Sequence, residues 1–374
     1  MTPAFYPATY WGGPIASVYG LCKALASRPD TQVTVLTTDA AGPRLHQRIA
    51  PEARLAASAT GFETHYCRRI AANAISAELL VRLGGLVAAA DVVHLTGVYS
   101  ATTFPTLAAC KAHGKPLVWS PRGSWQSWPG KTRATLKRAW DALAFTLVTA
   151  RRTAIHVTSE AEAAAVDRRD AVSAVACIPN AVDIPPALGA RDWVPDGTIR
   201  LLFVGRVHPI KGLDVLMRAL ALCDTSRFTL RIAGTGDPGY MQELQRLSAE
   251  LGVDSRVTWM GHLDDAAKRV AYAEADVVAV PSHSENFGMT VAEALAHGVP
   301  VVAGTGTPWS QLVEQGCGWW VDPDAQRLAE VLRGLSSAPL ASMGEKGRRW
   351  IDSEYSWIHV AERMSALYGS LVHG

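Results

Sequence analysis

Long apolar runs are absent from this 374-residue sequence. A helix that crosses a bilayer needs about 18–20 consecutive apolar residues, and the longest candidate, 139–150, is interrupted by Asp141. The opening stretch MTPAFYPATYWGG lacks the basic segment and apolar core of a secretory signal. Cysteine is sparse and scattered: Cys22, Cys67, Cys110, Cys177, Cys223 and Cys317 form no CxxC pair and lie near no histidine cluster. That spacing argues against a zinc site or a disulfide framework and fits reduced thiols. A basic excess is also missing, since 36 Lys and Arg face 34 Asp and Glu for a net charge of +2. Nucleic acid is therefore not an expected partner. The expectation is a cytoplasmic protein whose membrane contact, if any, is peripheral on the inner face of the plasma membrane.

What is present is globular: 48% hydrophobic and 19% charged residues. The length exceeds one ordinary α/β core and predicts two domains of roughly 170–190 residues. Short β-branched runs alternate with helical patterns. Segments 32–38 (QVTVLTT), 91–95 (DVVHL), 116–120 (PLVWS) and 154–158 (AIHVT) read as buried strands, with helices such as 15–26 and 101–113 between them. This alternation predicts an α/β fold with parallel sheets covered on both faces. Segment 184–197, with three prolines and two glycines, reads as a linker. The rhythm restarts at 199–204 (IRLLFV) and continues through 228–233, 257–260, 277–280 and 299–303. The expected organisation is a first Rossmann-like domain, 1–183, a hinge, 184–197, a second Rossmann-like domain, 198–350, and a terminal helix, 351–374. Ligands of such halves bind at the carboxyl ends of the strands, here in a cleft expected between the domains. The chain opens in what reads as the end of a first strand, so that strand is expected to be truncated or the native start to lie upstream.

Two segments carry the chemistry. The first is PSHSENFGMTVAEAL, 281–295, which follows an apolar strand and enters a helix near Gly288. Glycine and asparagine at such a turn leave backbone N–H groups at a helix N-terminus, a place suited to a diphosphate. Glu293, about one and a half turns into the helix, is placed to accept hydrogen bonds from a ribose diol. Glu285 precedes the turn and is expected to face a sugar. Taken alone, an ordinary strand, loop and helix with two surface glutamates would look the same. The second segment, FVGRVHPIKG at 203–212, sets Arg206 and Lys211 on a loop tightened by Gly205 and Gly212. Arg offers a planar fork and Lys a point charge, a pair that clamps phosphate oxygens without a metal. A solvated basic loop is the usual fate of such a pair; two clusters at strand ends in one half make that account weaker.

Five ordered motifs resemble the retaining GT-B glycosyltransferases of group 1, family 4 of the glycosyltransferases. They are the GGP loop Gly12-Gly13-Pro14, the hinge segment Ile178-Pro179-Asn180-Ala181-Val182-Asp183, the GRxxxxKG segment, Ala233-Gly234-Thr235-Gly236, and the E-x7-E stretch from Glu285 to Glu293. The resemblance covers nearly the whole chain and implies that the terminal helix, 351–374, crosses back to the first domain. It implies a metal-independent hexosyltransferase with no cofactor, using a nucleotide-diphosphate sugar as donor and a saccharide or lipid-linked saccharide as acceptor. It further implies that Arg206 and Lys211 neutralise the diphosphate, Glu293 holds the ribose and Glu285 contacts the transferred sugar. The backbone of Asn286, Phe287, Gly288 and Met289 would hold sugar hydroxyls and phosphate oxygens. Gly12 and Gly13 would let the first loop approach diphosphate and acceptor, and 257–262 would lie near the base. Retention by front-face attack needs no protein nucleophile. The pathway implied is cell-surface polysaccharide, either lipopolysaccharide or exopolysaccharide. A transferase making a small soluble glycoside is one rival, and a non-catalytic sugar-nucleotide-binding scaffold is another; the intact Arg206, Lys211, Glu285 and Glu293 argue against the scaffold.

Some residues depart from the pattern. Where relatives carry a histidine after the strand at 116–120, this chain has Arg122, which cannot act as a general base at neutral pH. Arg122 is expected to position sugar hydroxyls or an acidic acceptor. His94 is a candidate substrate contact or a buried structural histidine. Asp322-Pro323-Asp324 imitates a metal-binding DxD but precedes a helix, so N-capping is the expected role and no metal site is expected. In 125–152 tryptophans interleave with Lys131, Arg133, Lys137, Arg138, Arg151 and Arg152. Peripheral membrane contact and a solvated basic helix explain that segment equally. Trp319-Trp320 is expected to pack, and 357–371 reads as an amphipathic helix with Val360, Met364, Leu367 and Tyr368 on one stripe.

Overall fold

Twelve strands among the described residues, every ladder parallel, carry the architecture. The computed structural model describes residues 1–58, 61–71, 74–126, 134–166 and 171–373. The chain divides into two compact units, Met1–Ala181 with Trp357–Gly374, and Val182–Ser356.

The first unit begins with α1 (Gly13–Ala26), β1 (Thr34–Thr38), α2 (Pro51–Ser58) and β2 (Glu63–Cys67). Then come α3 (Ala77–Ala89), β3 (Val93–Thr96), α4 (Thr103–Ala112), β4 (Leu117–Ser120), α5 (Ala134–Leu147), β5 (Thr153–Val157), α6 (Glu160–Ala164) and β6 (Ala174–Cys177). β1 pairs with β2, and β3-β4-β5-β6 form a second sheet. Met1 and Thr2 lie between the two. Thr96 N–H donates to the Met1 carbonyl at 2.9 Å, and Thr2 N–H donates to the Leu36 carbonyl at 3.2 Å. β4 and β5 are buried along their whole length, as strands covered on both faces must be, which is why their sequences are apolar runs rather than alternations.

The second unit holds β7 (Ile199–Val204), α7 (Leu213–Ala221), β8 (Phe228–Ala233), α8 (Pro238–Glu250), β9 (Val257–Gly261), α9 (Asp265–Ala273) and β10 (Val277–Val280). It continues with α10 (Met289–Ala296), β11 (Val301–Gly304), α11 (Gln311–Glu314), β12 (Gly318–Val321), α12 (Ala325–Gly334) and α13 (Leu340–Tyr355). The strand order is β12-β11-β10-β7-β8-β9. Its first strand is central, and the chain winds outward first on one side and then on the other. The reversal falls between β7 and β10, the place where a doubly wound sheet opens a binding crevice.

Two boundaries differ from expectation. Segment 184–197 does not run free, because Arg191 donates to the carbonyls of Tyr272, His297 and Gly298 at 3.1–3.2 Å. Its Val194 N–H reaches Asp276 at 3.1 Å, so its prolines shape a strap bound to the second unit. The return to the first unit comes at Ser356 rather than 351. Ser356 is extended and ends α13, and the last helix, α14, runs Trp357–His373. Val360, Ala361 and Met364 of α14 pack with Leu21 and Leu25 of α1. Gly20 is required there, since a Cβ would overlap the Trp357 ring. Strands β2, β6 and β12 escape the sequence pattern; all three are sheet-edge strands with mixed exposure, whose pattern is weak for that reason. Among the described residues no helix is long and apolar enough to cross a membrane.

Candidate functional site

The switch point of the second unit is lined by the loops that leave β7 and β10. Gly205 turns at φ 150° and hydrogen-bonds through its N–H to the Ala233 carbonyl at 2.9 Å. Val207 bonds the same way to Thr235. The AGTG motif has a packing reason: a Cβ on Gly234 would overlap the Gly205 carbonyl, and one on Gly236 the Val207 carbonyl. The chain then makes a 3-10 turn at Pro209–Lys211, capped by the His208 imidazole, and leaves it through left-handed Gly212 (φ 69°). A side chain on Gly212 would strike the Pro281 carbonyl just beyond β10. His283 N–H donates to the Ile210 carbonyl at 2.9 Å. The two loops are therefore laced through backbone, and only glycine permits the approach.

This lacing brings Lys211 to Glu285. The Lys211 ammonium donates to Glu285 Oε1, and Ser282 Oγ donates to the same oxygen at 3.0 Å. Glu285 N–H is fixed by the Gly306 carbonyl at 2.8 Å. Oε2 of Glu285 has no partner among the described residues. Arg206 is exposed, and its guanidinium makes no hydrogen bond or ion pair among the described residues. Burial, then the Arg206 and Lys211 charges, hold the His208 imidazole below its ordinary value, which reports a positive local field.

Gly288 (φ 81°, ψ 60°) caps α10 without a side chain, and a Cβ there would press on the Trp309 indole at 3.2 Å. Phe287 is buried, while Asn286 and Met289 are half-buried at the turn. Thr290 Oγ1 donates to the Val204 carbonyl at 3.1 Å and pins this helix end to β7. Glu293 is braced from α9: Lys268 Nζ donates to Oε1 at 3.2 Å and the Tyr272 hydroxyl to Oε2 at 2.9 Å. Tyr272 is fully buried and stacks on His297, whose Nδ1 meets the Glu293 carbonyl at 2.8 Å. Burial and the Glu293 charge push the Tyr272 phenol far up, so it stays a donor. Sequence reasoning missed Lys268, Tyr272, Ser282 and Thr290. Lys268 and Tyr272, four apart on one helix face, were the available signal. Tyr272→Phe keeps the packing and removes one charge-assisted bond. We expect donor affinity to fall about fivefold, near 1 kcal/mol, with folding intact. Unchanged affinity in a donor titration would show that Glu293 needs no brace.

The remaining candidates lie in the first unit. Gly12 (φ 74°, ψ −148°) is the side-chain-free cap of α1, which begins at Gly13; no atom lies within 4 Å of where its Cβ would be. His94 belongs to an internal chain of hydrogen bonds. Tyr368 Oη meets His94 Nδ1 at 2.6 Å, His94 Nε2 meets Ser120 Oγ at 2.6 Å, Ser120 Oγ meets His156 Nδ1 at 2.7 Å, and His156 Nε2 meets the Ile178 carbonyl at 2.9 Å. A carbonyl only accepts, so His156 carries its proton on Nε2 and Ser120 donates to Nδ1. His94 then donates from Nε2, and Tyr368 donates to His94. Both ring nitrogens of His94 are thereby occupied. This favours the structural of its two readings: the ring ties α14 to β3 and β4.

Both histidines must be neutral for this arrangement. Burial, then the Arg122 charge, pulls His156 down from 6.5 to about 3, and burial lowers His94 well below its ordinary value. Between those limits the unfolded chain binds a proton that the folded chain does not, so stability rises with pH through the window. Acidifying from pH 6.5 should cost about 1.4 kcal/mol per pH unit from His156 alone. Above pH 6.5 this contribution is flat. Unfolding followed from pH 7.5 to 5 should show a shallower slope in His156→Gln; equal slopes would reject the linkage.

Asp324 caps α12 by accepting from Gln326 and Arg327 N–H, and Asp322 accepts from Thr305 Oγ1 at 2.8 Å. The DxD lookalike is thus used by the fold. Trp319 packs in the second core, and Trp320 Nε1 donates to the Thr307 carbonyl. Of the basic aromatic segment, 127–133 lies outside the described residues, including Lys131 and Arg133. Trp125 packs on Trp119 and Phe145, and Lys137 sits over the Tyr99 ring at 4.9 Å.

A parallel sheet wound in this order, with an Arg/Lys loop and a glycine-capped helix at its switch point, defines the doubly wound α/β class, whose ligands bind at that switch point. Residues 11–184 match the model of Glycosyltransferase Family 4, and residues 198–337 that of Glycosyl transferases group 1. The chain belongs to the group 1, family 4 glycosyltransferases, and its fold is GT-B. The D-inositol 3-phosphate glycosyltransferase of Xylanimonas cellulosilytica is 35% identical over 201 residues, 51% of this chain and 47% of that protein. The chain thus spans about half the length of the curated relatives it matches. HepE of Anabaena, solved in complex with UDP, superposes with a TM-score of 0.74 at 18% identity, covering 99% of this chain and 98% of that one. Sucrose-phosphate synthase of Thermosynechococcus elongatus gives 0.71 at 22% identity, covering 97% and 94%.

Proposed function

We propose that this chain transfers a sugar from a nucleotide-diphosphate sugar to a saccharide or lipid-linked saccharide, with retention of configuration and without a metal. The observation that supports it most directly is the pairing of Lys211 with Glu285 at the switch point between β7 and β10, with Arg206 exposed on the same loop as Lys211. When the sugar–phosphate bond breaks, negative charge grows on the departing diphosphate, and fixed cations there are the largest available stabiliser. Lys211 has three donors and can keep Glu285 while meeting a phosphate oxygen; exposed Arg206 offers its fork. The open Oε2 of Glu285 then faces the sugar, and braced Glu293 takes the ribose diol. The acceptor hydroxyl attacks from the leaving-group face, its proton passing to the departing phosphate, so no protein nucleophile is used.

We place the reaction in cell-surface polysaccharide assembly, at the cytoplasmic side, with peripheral membrane contact near 125–152. A second reading, transfer to a small soluble acceptor, is favoured by the name of the Xylanimonas relative. Thermal shift with UDP-, GDP- and ADP-glucose tests the donor site without knowing the acceptor. One base should raise the unfolding midpoint, since saturation at a hundredfold excess over Kd adds about 2.7 kcal/mol, and EDTA should not change it. Silence with all three donors would reject the proposal.

A further inference from the structure

Arg122 sits in the first unit, just beyond the carboxyl end of β4, with its backbone in the left-handed region at φ 52°. Gly123 follows at φ 76°. A non-glycine residue held there is strained, and such strain persists where the surroundings over-determine it, often at ligand sites. The surroundings do fix it. Gly123 N–H donates to Glu162 Oε1, while Glu162 Oε2 accepts from Thr158 N–H and Thr158 Oγ1 at 2.8 and 2.9 Å. Glu162 is fully buried and its oxygens are occupied by the loop. Its field reaches the guanidinium, but the two make no ion pair among the described residues.

The guanidinium itself is under-satisfied. Nη1 donates to Asn180 Oδ1 at 2.5 Å, a neutral acceptor. Nε–H is buried and has no partner. The other groups facing it are Tyr368 and Cys22, both kept protonated by burial, and the two histidines, His94 and His156, both neutral. Arg363, the next cation, is turned to the Cys177 carbonyl. A half-buried cation whose hydrogen bond goes to a neutral amide, with its Nε–H buried and unpartnered, lacks the planar two-oxygen partner for which arginine is built.

We propose that Arg122 binds an anionic oxygen group, a phosphate or a carboxylate, carried by the acceptor. The inference rests on the transferase reading for the word acceptor but not for the anion site. Asn180 holds one edge of the guanidinium, and the Nε edge takes two oxygens of the ligand. The site favours anionic over neutral acceptors, because a hydroxyl offers the guanidinium one neutral oxygen where a phosphate or carboxylate offers two charged ones.

Phenylglyoxal labelling of the wild-type chain, read by peptide mapping at Arg122, tests this without a variant. Inorganic phosphate and at least one of glucose 6-phosphate and glucuronate should slow Arg122 labelling about tenfold at saturation, and glucose should not. Which of the two sugars protects identifies phosphate or carboxylate as the ligand. Protection by glucose equal to that by the charged sugars would overturn the proposal in favour of hydroxyl binding, as would no protection at all. In thermal shift, stabilisation by phosphate should disappear in both Arg122→Gln and Arg122→Lys and persist in Lys211→Ala. Loss in Lys211→Ala alone would place phosphate at the nucleotide site and sink the idea. Nucleotide sugars are read in the same series. A chain that takes phosphate at Arg122 and ignores every nucleotide sugar rejects the donor reading and leaves this site standing.

Discussion

Lys211→Ala is expected to lower glycosyl transfer, or donor hydrolysis in the absence of acceptor, by roughly a hundred- to a thousandfold. That is the size of effect seen when one donor aimed at developing negative charge is removed from a preorganised site. Lys211 is held in place on three counts: the capped 3-10 turn, left-handed Gly212 against the Pro281 carbonyl, and Glu285. No reorganisation is then needed when charge develops on the phosphate. Arg206→Ala should lose a comparable amount, although Arg206 is exposed and has no internal partner to disturb. The comparison is informative for that reason. Lys211→Ala leaves Glu285 with Ser282 as its side-chain partner and costs some stability as well, whereas Arg206→Ala should leave the unfolding midpoint unchanged. Lys211→Arg is not a conservative control, since a longer planar fork does not fit the tight turn. Single-turnover rates with each variant, beside their unfolding midpoints, decide the matter. A loss under about threefold in both variants would move the chemistry away from this loop.

Asp276→Ala should destabilise the second unit by about 3–5 kcal/mol, the range for breaking a buried ion pair by removing one partner. Asp276 is fully buried immediately before β10. Its carboxylate accepts from Arg200 N–H at 2.8 Å, Arg200 Nε at 3.0 Å, Arg200 Nη2 at 2.8 Å and Val194 N–H at 3.1 Å. Asp276 N–H returns a bond to the Arg200 carbonyl at 2.9 Å. One side chain thus sets the register of β7 against β10 and holds the 184–197 strap. The fall in unfolding midpoint should be roughly 10 °C, and donor binding should weaken with it because the loops that carry Lys211 and Glu285 leave these same strands. Replacing both charges, in Arg200→Met with Asp276→Leu, should recover only part of the loss, since the Arg200 and Val194 N–H groups still lose their acceptor. A cost below about 1 kcal/mol in the single variant would contradict the account.

The two outcomes bear on different links of the same chain of causes. In the proposed reaction Lys211 acts on charge at the reacting atoms; Asp276 acts on whether the strands that present Lys211 and Glu285 stand side by side. The braces on Glu293 belong between them, fixing a side chain rather than a strand.

Much of this was legible without coordinates where the cause is local. Left-handed turns demand glycine, so Gly212 and Gly288 announced themselves in GRVHPIKG and ENFGMT. Buried parallel strands need apolar runs on both faces, so β4, β5, β7 and β10 could be read directly. The DxD lookalike was recognisable as a cap because Asp324 precedes a helix and satisfies its own first N–H groups. Strands β2, β6 and β12 were not legible, since their residues are only partly buried and so need no continuous apolar pattern. Segment 184–197 misled for a related reason: proline and glycine describe a chain without regular structure, and Arg191 binding to three carbonyls is invisible in composition.

The sequence by itself determined the repeated strand–loop–helix units, the residue types on the two loops, and the family those motifs resemble. Tertiary structure alone decided that β7 and β10 are neighbours, which brings together Lys211 and Glu285 from 74 residues apart. It also decided that Lys268 and Tyr272 brace Glu293, that His94 is occupied by Tyr368 and Ser120, and that Arg122 has a neutral partner and a buried, unpartnered Nε–H. Backbone preference is a property of a few adjacent residues and is written in them. Strand order and hydrogen-bond partnership are set by which distant surfaces exclude water together, and no single segment contains that choice.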